Sequence, residues 1–328
     1  MLLNRPNRRL LLKVTGAAGL TAALPRTALA LDYPTRPVRI VVGFPAGSPS
    51  DIGARLTAEW LGRRLGQNFI VENRPGAGNN IGTEAVVRAA PDGYTLHWTV
   101  SANAINPSLY KDIPFNYLRD IAQVAGLARF PLIMVVSQSS PWRSVPDFIA
   151  HAKANPGKIN TGSSGNGSSQ HLAGELFKSM AGVDLQHVPY RSSPEALNDL
   201  MADRIDVMFD VWPTSIGLIR GGKLRPLAVT TTQRHPALPD TPPVGDFVPG
   251  FESTAIQGLS APKAAPAEII ELLNREVNAA LSDTAFKARV EELGGVAMTG
   301  SAADFRKIMA DETEKWAAVI GKAGIKLD

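Results

Sequence analysis

The sequence predicts an α/β protein with two lobes, because short apolar runs alternate with helical patterns and the middle of the chain forms its own α/β block. Strands that alternate with helices are typical of parallel sheets joined by crossover helices. Nine apolar runs have the length of strands, and they are 38–44, 69–73, 94–100, 121–125, 132–137, 159–163, 185–189, 205–209 and 224–230.

Three stripes of apolar residues at helical spacing predict helices that face a core. The stripes are Ile52, Leu56, Trp60, Leu61 and Leu65; then Leu172, Leu176, Phe177 and Met180; then Ile269, Leu272, Leu273, Val277 and Leu281.

The order of these elements predicts how the chain divides. Residues 132–225 form a self-contained α/β sequence, and the flanking residues 31–131 and 226–328 are expected to form the other lobe. Because the chain then crosses twice between the lobes, we expect a hinge and a cleft. The proline-rich residues 235–251 are expected to form an exposed loop.

Residues 1–30 have the pattern of an export signal. A twin-arginine pair, Arg8 and Arg9, precedes a modestly apolar run, and Ala30 ends a small-residue cleavage site. The apolar run of 14–24 is too short to span a bilayer, which argues against the alternative of a membrane anchor. We expect cleavage after Ala30 and export to the periplasm, with the twin-arginine and general secretory routes both open.

The positive net charge belongs to this leader. The 328 residues carry a formal net charge of +4, but residues 1–30 hold five basic residues and no acidic residue, which leaves the rest near −1. We therefore expect no surface that binds nucleic acid. The chain has no cysteine, which excludes disulfides, thiolate metal sites and a cysteine nucleophile.

Two strand-to-helix loops predict a binding site. Residues 44–51 follow the first predicted strand, where Ser48 can cap a helix and Asp51 stands three residues later, as in a capping box. Residues 163–171 form a glycine- and serine-rich loop before a helix of the other lobe. Helix N-termini present unpaired N–H groups and the positive end of the dipole, so the two loops predict a pincer for a carboxylate or phosphate.

Signatures of catalysis or of a cofactor are weak. The sequence has no Gly-x-Ser-x-Gly elbow, and its five histidines show no metal-ligand spacing. Residues 73–82 imitate a dinucleotide fingerprint, but the glycine spacing differs and Pro75 interrupts it. We expect no enzyme, no metal and no cofactor, with a hydrolase or isomerase that uses Asp210 or His171 as the alternative.

Motifs in the same order along most of the chain are shared with one family. The segments are 33–44, 71–78, 90–95, 105–110, 171–177, 188–191, 206–210, 222–230, 237–240 and 273–274. On these segments the chain resembles the Bug family, the periplasmic solute receptors of tripartite tricarboxylate transporters.

The resemblance implies a type II periplasmic-binding-protein fold, with two α/β lobes that close by a hinge on a small organic carboxylate. The expected ligand is a di- or tricarboxylate, an acidic amino acid or an aromatic acid, and the expected partners are membrane transporter subunits, with the receptor itself a monomer. A sensor that feeds a membrane signalling partner is the alternative. The expected ligand-binding residues are Phe44, Pro45, Ala46, Gly47, Ser48, Ser50, Asp51, Ser101, Ser163, Ser164, Asn166, Ser168, Ser169, His171, Tyr190 and Asp210.

The sequence departs from the family pattern in the first loop. Gly47-Ser48-Pro49 stands where the family usually has Gly-Gly, and we expect the Ser48 hydroxyl to narrow the site. Trp212, close to Asp210, is expected either to stack on the ligand or to pack beneath the next helix.

Overall fold

The computed structural model describes residues 32–323, so the predicted leader and its cleavage site lie outside the described residues. The strands are β1 Val38–Val42, β2 Phe69–Asn73, β3 Thr95–Val100, β4 Ile121–Ser137, β5 Ile159–Ser163, β6 Leu185–Pro189, β7 Val207–Val211, β8 Leu224–Val229, β9 Thr254–Pro262 and β10 Val296–Ala297. The helices are α1 Pro49–Leu65, α2 Asn80–Val87, α3 Ala102–Leu109, α4 Tyr117–Asp120, α5 Val145–Ala154, α6 Ser169–Ala181, α7 Ser193–Met201, α8 Trp212–Arg220, α9 Ala267–Ser282, α10 Thr284–Glu292 and α11 Ala302–Ala323.

The ten strands within residues 32–323 belong to one sheet, in the order β2-β1-β3-β9-β4-β7-β5-β6, with β8 and β10 also paired to β4. The outer strands are parallel, as predicted: β1 pairs with β2 and β3, and β5 pairs with β6 and β7. The central strands β4 and β9 are antiparallel to their neighbours. The prediction of parallel pairing is therefore wrong at the centre of the sheet.

Strand β4 connects the two halves of the sheet. Its first part, up to Pro131, pairs with β9, and its second part, from Leu132, pairs with β7 and β8. The sequence predicted two separate strands here, 121–125 and 132–137, and the residues between them include Gly126 and Pro131, types that usually weaken a strand. The structure has one strand of 17 residues instead.

A second junction follows β8 and is centred on Thr230. The Thr230 hydroxyl accepts a hydrogen bond from the Leu132 N–H at 2.8 Å and lies 2.5 Å from the Ser253 carbonyl oxygen. Phe251 packs on Phe209, with ring centroids 6.1 Å apart. These contacts join the segment after β8 to the middle of the chain and favour a lobe boundary near Ser253, while the division into two lobes stays a prediction.

The proline-rich segment is exposed over only part of its length. Residues 236–240 are mostly exposed, but Val244, Val248 and Phe251 are buried in the core. The prediction of an exposed loop is therefore wrong at Val244, Val248 and Phe251, which anchor the segment, although residues 246, 247, 249 and 250 between them are exposed.

The stripes on α6 and α9 are largely buried, whereas the stripe predicted on α1 is displaced. Ile52 is 38% exposed, and the buried face of α1 is formed by Ala54, Thr57, Ala58 and Leu61. Small side chains on this face let α1 lie close to β2 and α9. Met180, the last residue of the predicted α6 stripe, is also exposed, at 37%.

Strand β9 was missed from the sequence because glycine and polar residues interrupt its apolar pattern. It carries Gln257, Gly258 and Ser260, yet every one of its residues is buried. A Cβ at Gly258 would lie 2.4 Å from Cζ of Phe305 and 2.5 Å from the carbonyl oxygen of Ala125. Glycine is therefore required here for the close approach of β4 and α11.

We predict that Gly258→Ala lowers the free energy of unfolding by about 1–3 kcal/mol, because the added methyl group overpacks the centre of the sheet. Chemical denaturation measures the change. The matched control is Gly217→Ala in α8, where nothing lies within 4 Å of the added Cβ. This control should preserve stability or raise it by up to about 1 kcal/mol. Equal stability of Gly258→Ala and wild type would contradict the packing described.

Candidate functional site

A cavity of about 240 Å³ lies where five helices begin. The N-cap residues of α1, α3, α6, α7 and α8 all line it, and they are Ser48, Ser101, Ser168, Ser192 and Val211. The first N–H groups of a helix have no partner within the helix and carry partial positive charge. The cavity is therefore suited to an anion that several backbone N–H groups hold together.

The first predicted loop is held by Asp51 from behind the cavity. One Asp51 carboxylate oxygen accepts hydrogen bonds from the Gly47 N–H and from Arg55 Nε, both at 2.9 Å. The other oxygen accepts from Asn73 Nδ2 at 2.9 Å, and Asn73 Nδ2 also lies 2.9 Å from the Phe44 carbonyl oxygen. Burial raises the pKa of Asp51, but these hydrogen bonds lower it further, so the group stays ionised.

The second predicted loop has the same backbone geometry as the first, but its acceptor side chain is a histidine instead of an aspartate. Ser168 caps α6 with φ −70° and ψ 158°, and Ser48 caps α1 with φ −69° and ψ 158°. The Gly167 N–H donates to His171 Nδ1 at 3.2 Å, in the way that the Gly47 N–H donates to Asp51. Both loops therefore have glycine, a capping serine and an acceptor at the third helical position.

His171 stacks on His187 beneath this loop. The ring centroids are 3.8 Å apart and the planes differ by 16°. Burial lowers the pKa of His171 to about 3, with help from His187 and Lys178, and burial with Lys178 lowers the pKa of His187 to about 4. Both rings are therefore neutral near pH 7, which keeps His171 Nδ1 free to accept from Gly167.

His187 Nε2 also lies 2.6 Å from Ser163 Oγ. This spacing would suit a nucleophile and its base. Ser163 is fully buried and is not on the cavity wall, and its hydroxyl bonds to the Gly165 carbonyl oxygen at 3.1 Å. The pair therefore fastens the loop rather than facing a substrate.

The structure brings most of the predicted ligand residues together. Those on the cavity wall are Phe44, Pro45, Ala46, Gly47, Ser48, Ser50, Ser101, Ser164, Ser168 and Ser169. The others lie away from the wall, and they are Asp51, Ser163, Asn166, His171, Tyr190 and Asp210. Asp51, Ser163 and His171 support the loops through the hydrogen bonds given above.

Asp210 lies behind the cavity wall and contacts a residue that lines the cavity. It is fully buried and accepts from Thr214 Oγ1 at 2.5 Å and from Gln170 Nε2 at 3.4 Å. Gln170 lines the cavity and also donates to Ser193 Oγ at 2.7 Å. Burial raises the pKa of Asp210 to about 6, against hydrogen bonds that lower it. Asp210 therefore holds Gln170 in place.

Tyr190 and Asn166 contact other neighbours. The Tyr190 hydroxyl donates to Asp199 at 2.8 Å. Asn166 is exposed, and its carbonyl oxygen would lie 3.5 Å from a Cβ at Gly78. Asn166 therefore marks the contact of the second loop with the glycine stretch that resembled a dinucleotide fingerprint.

Sequence reasoning missed the wall residues on α7 and β9. These residues are Arg191, Ser192, Ser193, Pro194, Ala255, Ile256 and Gln257. The β9 residues were missed with their strand. The Ser-Ser-Pro start of α7 follows a correctly predicted strand, and its similarity to Ser48-Pro49 was the signal that could have identified it.

Trp212 packs in the core rather than on the cavity wall. Its side chain is 1% exposed, and its ring centroid lies 4.0 Å from that of His235. A Cβ at Gly294 would lie 1.9 Å from Cγ of Trp212. Of the two interpretations offered by the sequence, the structure favours packing.

A cavity that gathers helix N-termini from both halves of one sheet is suited to hold a small anionic solute. The model of the family described as the tripartite tricarboxylate transporter family receptor matches residues 53–325. The chain therefore belongs to this receptor family, as the sequence motifs predicted, and it is a binding protein rather than an enzyme. The hydrolase or isomerase alternative is wrong, and both of its candidate residues support the binding loops instead.

Three solved structures are similar to the chain. Rpa4515 of R. palustris, solved with adipate, is 36% identical with a TM-score of 0.86 and covers 90% of this chain and 100% of its own. The periplasmic binding protein BugD is 33% identical with a TM-score of 0.83 and the same coverage. MatC of Rhodopseudomonas palustris, solved with malate, is 27% identical with a TM-score of 0.82 and covers 88% of this chain and 100% of its own.

These structures confirm the predicted periplasmic-binding-protein fold. Within residues 32–323, every helix is too short or too polar to cross a membrane.

We predict that the buried histidines make the protein less stable as the pH falls from 6.5 towards 4. In the unfolded chain an imidazole binds its proton near pH 6.5, whereas folded His187 stays neutral down to about pH 4. The unfolded state thus binds more protons in this interval, so unfolding becomes easier as the pH falls. Asp210 acts in the opposite direction between pH 6 and 3.8, because its folded pKa is raised.

The variant His187→Gln isolates this contribution. The slope of unfolding free energy against pH should flatten by up to about 1.4 kcal/mol per pH unit, which corresponds to one proton. Denaturation curves between pH 4 and 6.5 measure it. An unchanged slope in His187→Gln contradicts the assignment.

Proposed function

We propose that the protein is a periplasmic receptor that binds one small organic carboxylate in the cavity and delivers it to a membrane transporter. The observation that carries the proposal is the convergence of five helix N-termini on one cavity. In this proposal residues 1–30 direct export and are removed after Ala30, and the mature receptor acts as a monomer.

The cavity wall favours a carboxylate held by neutral groups. Serine hydroxyls at Ser48, Ser101, Ser164 and Ser168 stand beside the backbone N–H groups of α1, α3 and α6. These neutral groups can donate hydrogen bonds to an anion, and they leave no unpaired buried charge when the cavity is empty. Ordered water can complete the shell and tolerate ligands of different shape. Relatives solved with adipate and with malate support a carboxylate over a phosphate.

The two halves of the sheet supply different parts of this site. Residues 44–50 and Ser101 belong to the half that includes β1 and β3, while Ser168, Ser169 and the start of α7 belong to the half that includes β5 and β6. In the proposal the halves close on the ligand by bending at the two junctions, where β4 changes partners and where Thr230 meets Ser253.

Ser48 gives a direct test, because it lies on the wall and caps α1. In wild type, a carboxylate from a panel of succinate, malate, glutarate, adipate and benzoate should raise the melting temperature. Ligand at 100 times its Kd stabilises the folded state by about 2.7 kcal/mol. In Ser48→Trp we expect this shift to be lost, because the indole fills the cavity.

A matched control separates filling the cavity from loss of the cap. Ser144 caps α5 and is not among the residues that line the cavity. Ser144→Trp should lose about 1 kcal/mol of stability through its cap and retain the full ligand shift. If no carboxylate shifts wild-type protein that has been unfolded and refolded to remove co-purified ligand, the proposed function is wrong. A full shift in Ser48→Trp would mean that the ligand binds elsewhere.

A further inference from the structure

One charged side chain lies on the cavity wall. Among the described residues that line the cavity, Arg191 alone carries a charge, and the others are serines, a glycine, glutamines and apolar residues. The helix N-termini can already bind one carboxylate group. The positive charge of Arg191 is therefore not needed to bind that first carboxylate.

Arg191 is held by its backbone and leaves its guanidinium available. It lies between the end of β6 and the start of α7, and its N–H donates to Glu195 Oε2 at 3.2 Å. Within residues 32–323 its guanidinium forms no ion pair with an acidic side chain. Arg204 instead pairs with Asp199 at 2.8 Å, and Arg225 donates to backbone carbonyl groups.

One part of the wall is apolar and suits a hydrocarbon chain. Val100, Val211, Ala255 and Ile256 line the cavity beside the serines. An apolar lining with a few placed polar groups buries a hydrocarbon chain favourably and leaves unpaired hydroxyls costly. A guanidinium recognises a carboxylate through two parallel hydrogen bonds, which fixes the orientation of the ligand.

We propose that Arg191 binds a second carboxylate, so that the receptor selects unbranched dicarboxylates with a short hydrocarbon linker over monocarboxylates of equal length. This inference rests on the proposed function, because the first carboxylate must occupy the helix N-termini. The second carboxylate meets Arg191 at the exposed rim of the cavity, where the interaction is screened by salt.

The test compares matched acids by isothermal titration calorimetry. Succinate, glutarate, adipate and pimelate are measured against butyrate, valerate, hexanoate and heptanoate, with wild type, Arg191→Gln and Arg191→Lys. In wild type the best dicarboxylate should bind at least about tenfold more tightly than its matched monocarboxylate. Arg191→Gln should remove most of this preference and leave monocarboxylate affinity within about twofold. Arg191→Lys should restore part of the preference, since it keeps the charge without the bidentate geometry.

Arg306→Gln is the matched control, because it removes the same charge from an exposed position on α11 away from the cavity. The preference of this variant for dicarboxylates should equal that of wild type. In wild type, raising the salt from 50 to 500 mM should weaken the binding of adipate more than the binding of hexanoate. Equal binding of both series by wild type, or equal loss of both in Arg191→Gln, overturns the role of Arg191 while the proposed function stands. Failure of every acid to bind wild type overturns both.

Discussion

The binding site depends on one repeated contact, in which the N–H of a glycine donates to the side chain at the third position of the following helix. Gly47 donates to Asp51, and Gly167 donates to His171. Both glycines have positive φ, 79° and 77°, so the contact fixes a backbone that few other residues adopt. Once the loop is fixed, the serine after the glycine caps the helix, and the first residues of the helix line the cavity.

The two side chains that accept these hydrogen bonds, Asp51 and His171, differ in charge. A carboxylate at Asp51 would repel an anionic ligand, but Asp51 is not on the cavity wall, and Arg55 and Asn73 donate hydrogen bonds to its oxygens. The imidazole of His171 adds no charge, because burial keeps it neutral at pH 7. An anion bound as proposed would therefore meet dipoles from both loops, and among the described residues that line the cavity Arg191 alone carries a formal charge. Neutral dipoles fix where a carboxylate binds, whereas a charge at the rim discriminates among carboxylates.

The sequence predicted the first loop because capping leaves a local signature, namely a serine followed by an acceptor three residues later. It predicted the second loop from a glycine- and serine-rich run between a strand and a helix. It placed Asp51 and His171 in the wall because sequence spacing does not show on which side of the loop a side chain lies. It missed β9 because a strand buried on both faces at the centre of a sheet tolerates Gln257 and Gly258, whose partners are distant in sequence. Its α1 stripe was displaced because close packing selected small residues over the larger Ile52.

Strand β4 runs through both halves of the sheet, and this limits how the halves can move relative to each other. Strand β4 is continuous, so a hinge there must bend a hydrogen-bonded strand at the point where its partners change, between Pro131 and Leu132. Pro131 has no N–H to lose at this point. On the other chain crossing, the Thr230 hydroxyl contacts both Leu132 and Ser253, so the two crossings are joined by one side chain. In the proposed closure, bending at one junction would displace the other, which favours a single rotation over independent movement of the two loops.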